Sequence, residues 1–329
     1  MKILVVGGAG YVGGPLCDYL INDGHKVKIL DLLLYEKNYF KPVELVKENI
    51  CDWSKIREHV LWADCVVWLA ALVGDPACAI DPNLTNDINV NSLVPLLKEF
   101  KGRLIFPSTC SVYGAQDGLL DESSSLNPLS LYAKSKIDAE NLILNSGVDA
   151  CIFRLGTLFG VGDSHSRIRL DLVANLLTVK AYFTNVMSVF GGEQFRPLLH
   201  VKDVGRFAAM AVSNNSTGIF NIHQDNYSIT QIAEIIKQKL PNSEIQFTES
   251  QFQDARNYSV TSAKLFEKFR ELPKISVENG VDEILNILKQ NRISDISDPS
   301  FSNWQTLRKS IIKMDNEILT ISSDLELGV

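Results

Sequence analysis

The hydrophobic pattern in the first third of the chain alternates between short apolar runs and amphipathic stretches. Apolar runs rich in β-branched residues occur at residues 3–6, 27–31, 43–46, 65–71 and 103–107, which is typical of strands buried on both faces of a sheet. Apolar residues at helical spacing lie between these runs at 53–61 and 84–100. Because strands that alternate with helices pair in parallel, the pattern predicts an α/β fold with a Rossmann-like, doubly wound parallel sheet.

The second half of the chain has weaker strand signals and more amphipathic helices. Helical spacing predicts helices at residues 170–177, 230–240 and 281–288. A last apolar stripe at 304–318 is more typical of core or subunit packing than of a cofactor site. These helices predict a smaller C-terminal lobe beside the sheet.

A glycine-rich turn joins the first predicted strand to a helix. Gly7 would permit a tight turn, Gly10 would let phosphates approach the backbone, and Gly13 would let the helix pack on the strand. The helix N-terminus then offers amide groups and a partial positive charge to a pyrophosphate. Asp31 ends the second predicted strand, where a carboxylate accepts hydrogen bonds from the ribose of NAD and repels the 2′-phosphate of NADP. The turn therefore predicts an NAD site.

Tyr132 and Lys136 lie four residues apart on a segment with helical character, so both side chains share one helix face. A tyrosine has an ordinary pKa of about 10, and a fixed cation beside it favours the phenolate. Such a pair can exchange a proton with a substrate hydroxyl or carbonyl. The alternative interpretation is a helix start followed by an ordinary surface lysine.

The composition narrows the possible partners and compartment. The 329 residues are 46% hydrophobic and 22% charged, and the net charge of -7 argues against nucleic acid or an anionic membrane as a partner. No apolar run is long enough to span a bilayer. The cysteines have no metal-ligand spacing, so we expect buried thiols of a cytoplasmic protein and no metal site. They are Cys17, Cys51, Cys65, Cys78, Cys110 and Cys151.

Several motifs occur in a fixed order along the chain. They are Gly7-x-x-Gly10-x-x-Gly13, Leu69-Ala-Ala71, Ser108-Thr-Cys-Ser-Val-Tyr-Gly114, Pro128-x-Ser-x-Tyr132-x-x-x-Lys136, Arg154-Leu-Gly-Thr-Leu-Phe-Gly160 and Arg196-x-x-x-His200-Val-x-Asp203. As a set they resemble the extended short-chain dehydrogenase/reductases that modify nucleotide sugars, the NAD-dependent epimerase/dehydratase family. The resemblance covers residues 1–290 approximately and fades beyond them.

The resemblance assigns roles to individual residues. It implies that Tyr132 is the catalytic acid/base, that Lys136 lowers its pKa, and that Thr109 bonds the reacting sugar oxygen. The implied NAD-binding residues are Gly7, Gly10, Tyr11, Val12, Gly13, Asp31, Asn49, Ile50, Leu69, Ala70, Ala71, Val73, Ser108, Tyr132 and Lys136. The implied substrate-binding residues are Thr109, Ser111, Thr157, Arg169, Arg196 and Arg256, the last within a late arginine motif at 253–258 that would grip a sugar-nucleotide diphosphate.

The resemblance also indicates which reaction to expect. Relatives that expel water as 4,6-dehydratases carry Asp-Glu directly after the catalytic Thr, whereas this chain has Cys110 and Ser111. We therefore expect oxidoreduction at C4 of a nucleotide-diphosphate sugar, by a 4-epimerase or a 4-dehydrogenase/4-ketoreductase of surface-polysaccharide sugar biosynthesis. A 4,6-dehydratase is the alternative. A non-catalytic NAD-binding sensor of the same fold is a further alternative, which the retained Thr109, Tyr132 and Lys136 disfavour.

Domain organisation and assembly follow from the same resemblance. We expect an NAD-binding domain at 1–169 to which 199–222 return, and a substrate-binding lobe at 170–198 and 223–290. Residues 291–329 would form a C-terminal helical extension. The family commonly dimerises through two helices per subunit, here 84–100 and 132–146, which predicts a homodimer.

Overall fold

Apolar runs form the strands, and amphipathic runs form the helices that cover them. The computed structural model describes residues 1–36, 38–163, 167–248, 256–293 and 295–310. The strands are β1 (Lys2–Val6), β2 (Lys26–Leu30), β3 (Glu44–Val46), β4 (Cys65–Trp68), β5 (Arg103–Thr109), β6 (Ala115–Leu120), β7 (Asp149–Leu155), β8 (Thr157–Phe159), β9 (Val186–Phe190), β10 (Phe195–His200), β11 (Gly218–Ile222), β12 (Asp225–Ser228), β13 (Glu244–Thr248) and β14 (Asn257–Val260). The helices are α1 (Gly13–Asn22), α2 (Trp53–Trp62), α3 (Asp75–Cys78), α4 (Pro82–Asn86), α5 (Leu93–Glu99), α6 (Leu131–Ser146), α7 (Val173–Thr184), α8 (Val201–Ser213), α9 (Ile229–Lys239), α10 (Ala263–Phe269) and α11 (Val277–Lys289). Residues 303–310 are also helical.

The central sheet has seven parallel strands in the order β11-β7-β5-β4-β1-β2-β3. The order reverses beside β1, because β1 pairs with β2 on one side and with β4 on the other. A crevice opens at such a reversal, outside the carboxyl ends of the strands. The predicted Rossmann-like doubly wound sheet is confirmed.

Helices cover both faces of this sheet. Alternate strand residues such as Ile3 and Val5 pack against α1, α8 and α10, while Leu4 and Val6 pack against α2, α5 and α6. Because each strand is buried on both faces, nearly every one of its positions is apolar. This explains why short apolar runs mark the strands in the sequence.

A smaller lobe lies beside the sheet and has its own apolar core. The core joins α7, α9 and α11 with β9 and β10. Short strand groups complete it: β12-β10-β8, β13-β9 and β14-β6. The pair β14-β6 links residues 257–260 to the loop that follows β5, so the lobe is tied to the carboxyl edge of the central sheet.

Two predicted helices and one predicted strand have different bounds in the structure. The helix expected at 84–100 is interrupted by a π-helical turn, Asp87–Asn91, and the helix expected at 170–177 is α7 (Val173–Thr184). It starts later because Leu170 donates its backbone N–H to Phe301 O at 2.9 Å. The strand expected at 65–71 ends at Trp68, since Leu69 and Ala70 both donate their N–H to Val6 O and leave the sheet.

Some global expectations can be compared with the described residues. Cys51 is exposed, so the prediction that all cysteines are buried thiols is wrong for this residue, which lies in a turn. Cys17, Cys65, Cys78, Cys110 and Cys151 are buried. Within the described ranges, no helix has the length and apolar character to cross a bilayer, and no cluster of His, Cys, Asp or Glu is arranged to hold a metal ion.

Candidate active site

A cleft lies at the carboxyl ends of β1, β2, β4 and β5, and its empty space, counted together with the solvent at its open mouth, is about 1230 Å³. All but one of the predicted NAD-binding residues line it. They are Gly7, Gly10, Tyr11, Val12, Asp31, Asn49, Ile50, Leu69, Ala70, Ala71, Val73, Ser108, Tyr132 and Lys136. The exception, Gly13, begins α1 just behind the wall of the cleft.

The glycine turn shapes one end of the cleft. Gly7 has φ of 81°, and a Cβ there would lie 2.6 Å from Ala70 N. A Cβ on Gly13 would lie 2.2 Å from Gly8 O, so only glycine lets α1 start this close to the turn. Val12, the N-cap residue of α1, supplies no side-chain hydrogen bond. Gly14 already donates its N–H to Gly10 O at 3.3 Å and Pro15 has no N–H, so among the first three residues of α1 only the Gly13 N–H remains able to bind a phosphate group.

Asp31 lies just past the end of β2 and is mostly buried. Its Oδ2 accepts the Ala9 N–H at 3.0 Å and its Oδ1 accepts the Leu33 N–H at 2.7 Å. Burial raises the pKa of this carboxyl, and the two backbone hydrogen bonds oppose the rise. A carboxylate has about four acceptor sites, so Asp31 can also accept ribose hydroxyls. The glycine turn, the uncapped helix and this carboxyl together fit a dinucleotide such as NAD.

The wall beyond Asp31 carries Asn49 and Ile50. Asn49 Oδ1 accepts the Cys51 N–H at 3.0 Å, which fixes the turn before α2, while Ile50 is buried against the core. The amide oxygen keeps a second lone pair for a ligand donor. Both residues are therefore suitably placed for the contact with NAD that the resemblance implies for them.

Tyr132 and Lys136 lie in the first turns of α6, which starts after the N-cap Ser130. The Lys136 ammonium donates to Pro107 O at 3.0 Å and lies 4.6 Å from the centre of the Phe106 ring. Burial lowers the pKa of Lys136 to about 8. Burial also raises the pKa of the Tyr132 phenol, so the phenol holds its proton in the ligand-free protein.

Thr109 is the last residue of β5 and lies close enough to Tyr132 for its hydroxyl to lower the pKa of the phenol by hydrogen bonding. Thr109 Oγ1 lies 2.8 Å from Ser111 Oγ and accepts the Ser111 N–H at 3.1 Å. Cys110 instead donates its thiol to Arg154 O at 3.2 Å, and burial raises its pKa. The Cys110 thiol is therefore committed to a buried backbone group.

The predicted substrate-binding residues fall into separate places. Arg169 lines the cleft, whereas the other five lie outside its lining: Thr109, Ser111, Thr157, Arg196 and Arg256. Arg196 donates to Arg256 O through Nη1, and Arg256 Nη1 lies 3.4 Å from Asp75 Oδ2. Residues 253–255 of the late arginine motif lie outside the described residues.

Several residues that line the cleft were not predicted as site residues. Tyr35 follows Asp31 in the loop after β2, and Arg167 lies over its ring at 4.1 Å. Asn303 reaches the cleft from the C-terminal extension. The cationic run around Arg167 is a usable signal, but nothing in the local sequence marks Asn303.

Comparisons with known proteins agree with this geometry. The model of the NAD dependent epimerase/dehydratase family matches residues 3–222. The chain is 29% identical to a putative UDP-glucose 4-epimerase of Methanocaldococcus jannaschii over 88% of this chain and 99% of the relative. It is 26% identical to UDP-glucuronic acid decarboxylase 1 of Xenopus tropicalis over 88% of this chain and 72% of the relative.

A solved structure shares the fold. The UDP-glucose 4-epimerase of Thermus thermophilus in complex with NAD superposes with a TM-score of 0.75 and 21% identity, covering 87% of this chain and 99% of that one. The family model spans more than half of the chain, and its match includes the glycine turn, Asp31, Tyr132 and Lys136. The chain therefore belongs to the NAD-dependent epimerase/dehydratase family of nucleotide-sugar enzymes, of short-chain dehydrogenase/reductase type, and its cofactor is NAD.

Proposed function

We propose that the enzyme oxidises or reduces C4 of a nucleotide-diphosphate sugar and releases no water, as a 4-epimerase or a 4-dehydrogenase/4-ketoreductase. The observation that carries this proposal is the pairing of Tyr132 and Lys136 at the cleft, with no carboxylic acid directly after Thr109. The similarity to a putative 4-epimerase supports it. Membership of surface-polysaccharide biosynthesis, a cytoplasmic location and a homodimer stay predictions.

NAD, when bound, accepts a hydride from the sugar carbon or returns one to it. The chain's own residues move the proton and hold the reacting groups. Tyr132 takes the C4 hydroxyl proton or returns it, and the Lys136 ammonium, with its pKa of about 8, offsets the charge that develops on the phenol oxygen. The Thr109 hydroxyl, anchored by Ser111, orients the sugar oxygen toward Tyr132.

Elimination of water needs a further group that can act as a strong acid near the leaving hydroxyl. Cys110 cannot serve, because its thiol is buried, its pKa is raised, and it donates to Arg154 O. Ser111 is a weak acid whose hydroxyl is bonded to Thr109. The two residues that replace the family's acid pair thus favour chemistry that stops at oxidoreduction.

One observation, at Asp75, supports the alternative function, that of a dehydratase. The charge of Asp75 raises the pKa of Tyr132, and its Oδ1 is a buried atom without a hydrogen-bond partner in the described structure. A carboxyl so close to the acid/base can assist the loss of a hydroxyl. We therefore keep nucleotide-sugar dehydration as the second candidate function.

The test incubates the purified enzyme with UDP, GDP, dTDP and CDP sugars, including a uronic acid, in D₂O. Mass spectrometry and NMR then identify the product. Our proposal expects an epimer or a 4-keto sugar that has kept all its oxygen atoms, and a loss of at least about a hundredfold in rate for Tyr132→Phe. A product lighter by one water, with solvent deuterium next to C6, would establish the dehydratase instead. Asp75→Asn should abolish that product and leave simple C4 oxidation intact.

A further inference from the structure

Arg169 has a buried guanidinium with unused donors beside the cofactor cleft. The residue is 8% exposed and lines the cleft. Its Nε donates to Asp171 Oδ1 at 2.9 Å, and among the described residues no acceptor bonds its two terminal nitrogens. A guanidinium fork presents parallel donors that match phosphate oxygens. Arg169 can therefore donate hydrogen bonds to an anionic ligand.

The surroundings of Arg169 indicate which part of the cleft it faces. Burial raises the pKa of three tyrosines that line the cleft, Tyr11, Tyr35 and Tyr132, and the positive charge of Arg169 partly opposes the rise in each. Tyr11 belongs to the glycine turn, and Tyr132 is the predicted acid/base. In a dinucleotide, the diphosphate is the part that joins the adenosine half to the nicotinamide half. With its adenosine half at the glycine turn and its nicotinamide half at Tyr132, such a ligand would place its diphosphate between these two tyrosines.

The other two arginines predicted for the substrate lie elsewhere. Arg196 and Arg256 contact each other outside the lining of the cleft, where Arg256 pairs with Asp75. Arg169 and its neighbour Arg167 line the cleft together with the glycine turn. This separation assigns Arg169 to the cofactor side.

The C-terminal extension holds Arg169 in place through Asn303. The Asn303 N–H donates to Asp171 Oδ2 at 2.9 Å, so Asp171 bridges Asn303 to Arg169. The Asn303 side chain accepts from Arg167 Nη1 at 2.5 Å and donates to Val73 O at 3.0 Å. Asn303 is 5% exposed. One buried amide therefore joins the loop after β4 to the loop that carries both arginines.

Further contacts keep this part of the extension on the body of the enzyme. Arg167 donates to Ser300 O through Nε at 3.1 Å and Nη2 at 3.0 Å. Leu307 is buried against Leu72, Ala77 and Cys78, in the cluster that also contacts Tyr132. The segment 299–307 is thus packed against the loop after β4 and the loop before α7.

A second arginine and two carboxylates lie near Arg169. Arg167 and Arg169 lie near each other, and burial together with the charge of Arg169 lowers the pKa of Arg167 to about 10. The charges of Asp171 and Glu36 oppose this shift, and of the two arginines only Arg169 donates to Asp171 among the described residues. The two terminal nitrogens of Arg169 therefore stay available to a phosphate group.

We infer that Arg169 binds the diphosphate of NAD together with the Gly13 N–H at the start of α1, and that Asn303 of the C-terminal extension positions Arg169 through Asp171. This differs from the sequence-based prediction of Arg169 as a substrate ligand. It concerns the cofactor and is independent of the sugar reaction proposed above.

The experiment compares Arg169→Met, Arg169→Lys and Asn303→Ala with the full-length wild type. Ser297→Ala is the matched control, because its hydroxyl lies in the same extension, is exposed and bonds only Asp295 Oδ1 among the described residues. The first measurement is the rate at which added NADH displaces bound NAD, followed by NADH fluorescence. The second is the rise in melting temperature caused by a nucleoside diphosphate. This ligand is whichever of UDP, GDP, dTDP and CDP stabilises the wild type best.

We expect Arg169→Met to release NAD at least about tenfold faster, since charged hydrogen bonds to phosphate are lost. The NAD release rate of Arg169→Lys should lie between those of the wild type and Arg169→Met, because lysine keeps the charge but lacks the guanidinium fork. Asn303→Ala should also speed release, whereas Ser297→Ala should not. The nucleoside-diphosphate shift should be unchanged in all four variants.

The opposite pattern overturns the inference. A lost nucleoside-diphosphate shift with normal NAD release in Arg169→Met would return Arg169 to the substrate. Unchanged NAD release in Arg169→Met would also refute the role of Arg169 in binding the cofactor. If Arg169→Met does not fold, unchanged NAD release in Arg169→Lys would refute that role. Asn303→Ala that behaves like Ser297→Ala, while Arg169→Met loses NAD, would refute the positioning role of Asn303.

Discussion

Replacing the Lys136 ammonium by an apolar side chain should stabilise the NAD-free protein at neutral pH while abolishing its activity. Lys136 is 4% exposed, and its ammonium makes a single protein hydrogen bond among the described residues, to Pro107 O. An ammonium has three donors, so its removal from water is only partly offset by that bond and by the Phe106 ring. Lys136→Met keeps a long unbranched side chain without the charge.

The magnitude follows from the pKa of Lys136, which burial lowers from 10.5 to about 8. Each pKa unit corresponds to about 1.4 kcal/mol, so the charged form costs the fold about 3 kcal/mol below pH 8. The unfolded chain binds this proton more tightly than the folded chain. The stability of the wild type therefore rises between pH 8 and 10.5, and the advantage of Lys136→Met shrinks over the same interval.

Urea unfolding of the NAD-free proteins near pH 7 and near pH 10 measures this difference. For 329 residues, an unfolding entropy of about 2.1 cal/mol/K per residue converts 3 kcal/mol into a rise of about 4 K in the melting temperature. Lys134→Met, an exposed position on the same helix, should change little. A Lys136→Met protein that is no more stable near pH 7, or whose advantage does not depend on pH, would refute the reasoning.

Two further predictions concern carboxylates that pair with cations. Glu140→Gln should lower the free energy of unfolding by about 3–5 kcal/mol, because it leaves the buried Arg154 guanidinium without its carboxylate at 2.7 Å. Urea unfolding measures this loss. The double variant Glu140→Leu with Arg154→Met should recover most of the lost stability. Glu283 accepts hydrogen bonds from His200 and Lys202. Burial raises the pKa of Glu283, but these bonds outweigh it and lower the pKa from 4.5 to about 2. The wild type should therefore be more stable than Glu283→Gln above pH 4.5 and lose this advantage as the pH falls toward 2, which melting curves across that range can check.

The sequence predicted the parts of the site that depend on local patterns. The glycine turn, Asp31 and the pair Tyr132–Lys136 could be located because each is set by a strand end or by helical spacing within a few residues. Parallel strands bring their carboxyl ends to one edge, so residues after β4 and β5 could also be assigned to the cleft. Local rules and simple topology are sufficient for these positions.

The remaining parts depend on contacts between segments far apart in the chain. Asn303 reaches the cleft by bonding Val73 and Arg167, and no periodicity in residues 291–310 encodes those partners. The π-helical turn at Asp87–Asn91 was missed for a similar reason. Asn89 within this turn bonds the backbone of Leu72, and an apolar helical pattern does not register a polar residue turned inward to a distant loop.

The helix α6 shows how the fold supports an unfavourable catalytic group. Tyr132, Lys136 and Glu140 follow one another at four-residue intervals, so they share a face of α6 that is turned toward the sheet. Glu140 pairs with Arg154 of β7 and accepts the Ser108 hydroxyl at the end of β5, which ties the helix to two strands. The negative charge of Glu140 also raises the pKa of Lys136 against the effect of burial. Removing the Glu140 carboxylate should thus weaken the fold and, in addition, the protonated state of Lys136 on which the proton transfer at Tyr132 depends.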